Sequence, residues 1–203
     1  PKLIPHGLFT KGDGYGVSDV VVESPLHNTH LALMKPDEIS LVFGAMQERF
    51  LQLLEDPAIR IINLFRNHGV RAGASLAHPH AQMIATSIAP PHILNQVHYA
   101  KKWHASNGQC VYCTALAEEL SQKERIIVET EHFVAWAPFA SRSPFETRIQ
   151  PKRHLSIFGQ ISAEEVSDFG HILREVLGKI YTALGDPDYN YILRSALVGG
   201  NGD

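Results

Sequence analysis

The chain has 203 residues, 44% hydrophobic and 19% charged, which is enough for one large globular domain or two small ones. A net charge of -3 gives no basis for binding nucleic acid or an anionic membrane surface, and no apolar run reaches the ~20 residues of a membrane helix. The only two cysteines, Cys110 and Cys113, stand in C-x-x-C spacing with a distant histidine, which reads as metal binding in a reducing compartment, by default the cytoplasm.

Residues 1–16 are rich in glycine and proline without periodicity and read as loop. Residues 17–24 alternate and are rich in valine, the pattern of a strand, which Pro25 ends. Residues 36–54 carry Ile39, Val42, Phe43, Met46, Phe50 and Leu53 at helical spacing. Pro36 suits the first turn, and Asp37 and Glu38 complement the helix dipole there. Asp56-Pro57 closes that helix, and residues 59–65 form a strand leading through a glycine-containing loop to another. Pro90-Pro91 marks a break, and residues 92–106 read as a helix ending at Asn107-Gly108. Beyond Cys110 and Cys113 come strands at 133–137 and 145–150. Ser162 and Glu165 form a capping box opening a helix that runs to residue 184. Asp186-Pro187-Asp188 is a turn, and residues 189–195 are the last strand.

This order recurs. Strand, Pro25…His27, long helix, Asp-Pro and strand are matched by strand, Pro151…His154, long helix, Asp-Pro and strand. Two related units are expected, at residues 1–108 and 109–203, in an α+β fold of antiparallel sheet flanked by helices. The first unit continues to His78-Pro-His80, whereas the second stops at Gly199-Gly-Asn-Gly-Asp203. No cysteine pair precedes His27 as Cys110 and Cys113 precede His154, so the expectation is a chain clipped at both ends.

The chemistry concentrates in Gly73-Ala-Ser-Leu-Ala-His78-Pro79-His80-Ala81-Gln82. His78, His80 and Gln82 alternate, so an extended strand turns them to one face, and Pro79 biases His78 towards that conformation. Gly73, Ala74 and Ser75 let the backbone approach a ligand and offer N–H groups to phosphate oxygens. A neutral imidazole can attack phosphorus and form a covalent intermediate. Gln82 has no titratable proton, and a site without a general acid suits a leaving group that departs unprotonated, such as a phosphate or sugar phosphate. The competing reading is a polar turn before a strand at 83–86. The glycine-rich approach, Gln82, and the cluster Cys110, Cys113 and His154, whose spacing suits zinc, weigh against it. Among Arg66, Arg71, Arg142, Lys152 and Arg153, Lys152 is preferred for offsetting phosphate charge.

His78-Pro-His80-Ala-Gln82 resembles the active-site motif of the galactose-1-phosphate uridylyltransferases, a branch of the histidine triad superfamily with glutamine in place of the third histidine. The resemblance extends through Val21-Val-Glu-Ser-Pro25-Leu-His27, Phe65-Arg-Asn67-His-Gly69, Cys110-Val-Tyr-Cys113, Ala137-Pro-Phe139, Pro151-Lys-Arg-His154 and Asn190-Tyr191. It is especially similar to the branch that includes plant ADP-glucose phosphorylase. The resemblance implies duplicated histidine-triad-like units and a transferase that moves a nucleoside monophosphate between a nucleotide sugar and a sugar 1-phosphate or phosphate. It implies His80 as nucleophile, Gln82 steadying the nucleotidyl group, and Asn67 and Ser75 on the phosphates. It further implies zinc, with a fourth ligand to Cys110, Cys113 and His154 beyond this chain and with His27 and His78 as half of another site, and it implies a homodimer. Two other readings stand beside it. One is a histidine-triad hydrolase of dinucleoside polyphosphates, against which Gln82 counts; the other is a zinc-stabilised nucleotide-binding module without turnover.

Overall fold

The computed structural model describes residues 3–198. It opens on a hairpin, β1 (Ile4–His6) and β2 (Phe9–Lys11), where loop was expected. Gly7, with φ of 63°, is the first residue of the two-residue turn, the position that favours glycine in a tight hairpin. Strands of three residues are too short to show a period, which is why the sequence reads as loop.

The next elements are β3 (Gly16–Val22), α1 (Pro36–Leu54), β4 (Ile61–His68) and β5 (His80–Thr86). After them come α2 (Pro91–Asn107), α3 (Val111–Gln122), β6 (Ile126–Glu129), β7 (Phe133–Trp136) and β8 (Arg148–Pro151). The described chain ends with α4 (Ala163–Leu184) and β9 (Tyr189–Leu193). Neither α3 nor β6 was anticipated. The expected strand at 145–150 begins only at Arg148, because Phe145, with φ of 61°, sits in a turn. The long helices fall where the apolar stripes put them. The Glu38 carboxylate accepts the Lys35 N–H at 2.7 Å at the start of α1. Ser162 and Glu165 satisfy each other's backbone N–H groups at the start of α4.

The four-stranded sheet has the order β3-β5-β4-β9, and the three-stranded sheet the order β6-β7-β8; both are antiparallel throughout. β9 follows α4 in sequence yet forms the edge of the sheet built from β3, β4 and β5. Phe43, Met46 and Phe50 of α1 and Leu173 and Leu177 of α4 pack on Leu64, Ala81, Met83 and Ala85 of that sheet. Another side of α4, through Ile172 and Val176, packs on Val128, Phe133 and Ala135. The opposite face of β7 meets Leu116 of α3 through Val134 and Trp136. All four residues of β7 are therefore buried, as a continuous apolar strand between two layers requires. No described helix is long and apolar enough to cross a membrane.

Candidate active site

The register of the four-stranded sheet decides which side chains share a face. In β5, Ala81, Met83 and Ala85 are fully buried against the helices, so His80 and Gln82 occupy the opposite face. His80 stands opposite Val22, and Gln82 lies between Val20 and Phe65. Asn67, two residues on from Phe65, lies opposite Asn190 of β9. One face thus brings together His80, Gln82, Asn67 and Asn190, bordered by the exposed Val20, Val22 and Ile192.

Alternation was expected to include His78 in the strand. The strand starts at His80, and the Pro79 carbonyl accepts the Glu23 N–H at 3.0 Å. The His78 ring goes instead to the end of β3 and the residues after it. Its Nε2 is 2.7 Å from the Ser24 carbonyl oxygen and its Nδ1 is 2.9 Å from Nδ1 of His27. A carbonyl only accepts, so His78 Nε2 carries the proton and its Nδ1 presents a lone pair. The same logic fixes His80. Its Nδ1 lies 2.8 Å from the His78 carbonyl oxygen, so Nδ1 donates and Nε2 keeps its lone pair. His80 is buried, which limits the other orientations of its ring.

The loop from β4 to β5 depends on two glycines in the left-handed region, Gly69 with φ of 85° and Gly73 with φ of 88°. A Cβ on Gly69 would also collide with the Asp188 carboxylate. Gly73 and Ser75 are exposed in this loop. Asn67 Nδ2 lies 3.4 Å from the Gly73 carbonyl.

Beneath the site, on the helix side of the sheet, a fully buried ion pair joins Glu23 to Arg66. The Tyr191 hydroxyl donates to Glu23 Oε1 at 3.5 Å, and burial raises the Tyr191 pKa far above that of a free phenol. His68 Nε2 contacts Asp186 Oδ1 at 2.8 Å, and the same carboxylate oxygen is 3.6 Å from Nε2 of His30. Burial lowers the His30 pKa. No pattern in the sequence singles out His30; His68 stands only within a matched motif, and Asp186 and Asp188 only within a turn. Asn190 enters only as part of a matched dipeptide, and Glu23 only within another matched motif.

The second ligand cluster also assembles. Ligand atoms of Cys110, Cys113 and His154 all lie within 4.8 Å of one another, with Cys113 Sγ 3.2 Å from His154 Nδ1. Tetrahedral zinc with sulfur and nitrogen ligands separates those atoms by about 3.5 Å, so these three residues fit the ion. Burial raises the Cys113 thiol pKa, and Cys110 adds to the rise. Lys152 is placed elsewhere. Its Nζ is held by the Thr130 carbonyl at 2.6 Å and Glu129 at 2.9 Å, beside the three-stranded sheet rather than on the sheet that carries His80.

The family model for the N-terminal domain of galactose-1-phosphate uridyl transferase matches residues 4–90. ADP-glucose phosphorylase of Arabidopsis thaliana is 37% identical over 183 residues, 90% of this chain and 51% of that protein. Galactose-1-phosphate uridylyltransferase of Thermotoga maritima is 36% identical over 187 residues, 92% of this chain and 58% of that protein. The solved structure of the Arabidopsis thaliana ADP-glucose phosphorylase with bound ADP-glucose has a TM-score of 0.86 at 34% identity, covering 93% of this chain and 58% of that one. A uridylyltransferase structure has a TM-score of 0.90 at 27% identity, covering 98% and 64%. The chain spans about half the length of the curated relatives it matches. The motifs, the sheet and these comparisons agree: the chain is similar to the galactose-1-phosphate uridylyltransferases, through the N-terminal-domain model over residues 4–90 and relatives up to 37% identical.

Proposed function

We propose that this protein transfers a nucleoside monophosphate between a nucleotide sugar and a sugar 1-phosphate or phosphate, as a galactose-1-phosphate uridylyltransferase does. The observation that carries the reading is the His80 tautomer: Nδ1–H donates to the His78 carbonyl, and Nε2 is free on the face that holds Gln82. His80 Nε2 attacks the α-phosphorus of the nucleotide sugar. The bond from that phosphorus to the bridging oxygen breaks, and sugar 1-phosphate leaves with the electron pair. It needs no proton, so the absence of a general acid among the site residues is no obstacle. The nucleotidylated imidazole keeps its Nδ1 proton, and the His78 carbonyl stabilises the positive charge. A phosphate oxygen of the acceptor then attacks the same phosphorus and releases His80. The Gln82 amide, Asn67 and backbone N–H groups of the Gly73–Ser75 region meet the charge on the non-bridging oxygens.

Zinc is part of the proposal. Cys110, Cys113 and His154 would hold one ion, and the facing Nδ1 atoms of His27 and His78 would contribute to another. Such ions supply cross-links. His78 bears the carbonyl that orients His80, so anchoring its ring steadies the nucleophile. Metal content tests this: Cys113→Ser is expected to lose zinc, and an unchanged content would refute that site. On the resemblance alone the proposal also includes a homodimer, which sedimentation tests; a cytoplasmic location rests on reading Cys110 and Cys113 as metal-binding cysteines of a reducing compartment.

The functional test is intact-mass spectrometry after separate incubation with UDP-glucose and ADP-glucose. A gain equal to UMP or AMP, absent in His80→Ala, supports the reading and names the nucleotide. An adduct that persists in His80→Ala, or nucleotide-sugar hydrolysis without transfer, overturns it.

A further inference from the structure

Three alternate residues leading into β9 grip the segment that carries Asn67. Asp186 Oδ1 is 2.8 Å from His68 Nε2. Asp188 Oδ2 accepts the Arg71 backbone N–H at 2.5 Å, and the Asp188 carboxylate fills the space a side chain on Gly69 would need. Asn190 Nδ2 donates both to Asn67 Oδ1, at 2.7 Å, and to the Ala72 carbonyl, at 2.8 Å.

His30, His68 and Asp186 together have the outline of a cation site. The protons argue otherwise. Arg66 Nη2 lies 3.4 Å from His68 Nδ1 and can only donate, so Nδ1 accepts and Nε2 carries the proton that Asp186 receives. A metal would need the lone pair that this Nε2 lacks, close to a guanidinium. The cluster is a hydrogen-bonded latch.

Asn190 has a sharper consequence. An asparagine amide can point either way, and here the partner decides. Because Asn190 donates to Asn67 Oδ1, the Asn67 Nδ2 must be the end left for a ligand, apart from its 3.4 Å approach to the Gly73 carbonyl. We propose that Asp188 and Asn190 are positioning residues: they fix the Asn67 amide with its NH₂ group presented to phosphate oxygen and hold the 69–73 loop in its ligand-ready shape. This deepens the nucleotidyl-transfer reading and rests on it for the identity of the ligand. It also gives β9 a task in a site whose nucleophile lies in the earlier part of the chain.

The test compares Asn190→Asp, Asn67→Ala and the double variant. Asn190→Asp keeps shape but replaces both donated hydrogens with a carboxylate facing two acceptor oxygens. The expected result is a fall of about tenfold or more in kcat/KM for the nucleotide sugar and in the rate of adduct formation on His80, at an unchanged melting temperature. The Asn67→Ala loss should absorb most of the Asn190→Asp loss, so that the double variant is little worse than either single one. Wild-type kinetics in Asn190→Asp, or losses that multiply independently, would overturn the inference. Hydrogen exchange provides a readout that needs no turnover: the Arg71, Gly73 and Ala74 amides should exchange faster in Asp188→Ala and Asn190→Asp. Unchanged exchange there overturns the clamp even with an active enzyme. A wild type that gains no nucleotidyl mass from either sugar nucleotide, with exchange accelerated as expected, overturns the transfer reading and the phosphate role of Asn67 and leaves only the loop clamp standing.

Discussion

The His80 Nδ1 nitrogen lies 2.8 Å from the carbonyl oxygen of His78, its neighbour across Pro79. That single bond selects the tautomer, and it does so without a carboxylate. The carbonyl only accepts, so it holds the proton on Nδ1 and leaves the Nε2 lone pair for the ligand face. His80→Asn keeps a side chain of similar reach but removes the proposed nucleophile. It should abolish the covalent adduct and lower transfer by several orders of magnitude, while binding of the nucleotide sugar, measured by calorimetry, stays close to wild type. Retained adduct formation would move the nucleophile to another residue.

The ion pair of Glu23 and Arg66 supports the same site from below, and both side chains are almost completely inaccessible to solvent. Each partner alone would be a buried, uncompensated charge. Glu23→Gln should therefore destabilise the fold by about 3–5 kcal/mol in urea unfolding. The double variant Glu23→Leu, Arg66→Met removes both charges and should recover much of that loss. A double variant as unstable as the sum of the single ones would mean that the two charges are not coupled and that other groups compensate each of them.

The helices α1, α2 and α4, the central strands and the face shared by His80 and Gln82 were legible because each is local: a period, a cap or an alternation names it. The apolar stripe of α1 and the Ser162–Glu165 box are of this kind. The clamp was not legible. Asp186-Pro187-Asp188 reads as a turn from its composition, and nothing in the sequence says that its carboxylates close on residues 68–71. The pairing of β9 with β4 is a long-range register, fixed by packing rather than pattern. Lys152 shows the same limit of local pattern: a cation two residues before His154 suggests a phosphate partner, and in the structure its ammonium group contacts Glu129 and the Thr130 carbonyl.

Glu165 closes the capping box of α4 and is also paired with Arg153, whose Nη2 lies 2.7 Å from Oε2. The hydrogen bond from Arg153 is the main cause of a carboxyl pKa below the usual range. A folded-state pKa below the unfolded one contributes stability that is complete above the unfolded value, roughly pH 4.3, and is lost as pH falls through the folded value. Wild type should therefore melt above Glu165→Gln at pH 7, with the gap closing as the medium is acidified below that range. Ser162→Ala removes the other half of the box and should cost about 1 kcal/mol at any pH. A gap between wild type and Glu165→Gln that persists at the acid end would rule out the ionised carboxylate as its source.

The crossing of α1 and α4 is tight at Gly170. A Cβ there would overlap the Ser40 hydroxyl and lie 2.7 Å from the Pro36 carbonyl oxygen. Ser40 itself bridges the helices, donating to Pro36 at 2.9 Å and approaching the Ser167 carbonyl at 3.3 Å. Ser40 and Ser167 lie equally far in sequence beyond His27 and His154. In an exposed helix, replacing glycine with alanine gains about 1 kcal/mol. Here the backbone carbonyl of Pro36 cannot step aside, and the helices must separate. Gly170→Ala should lose about 1–3 kcal/mol by denaturant unfolding. Adding Ser40→Ala removes the hydroxyl but not the carbonyl, so it should restore only part of the loss. Full restoration would place the whole constraint on Ser40, and a stabilised Gly170→Ala would mean that the helices cross with room to spare.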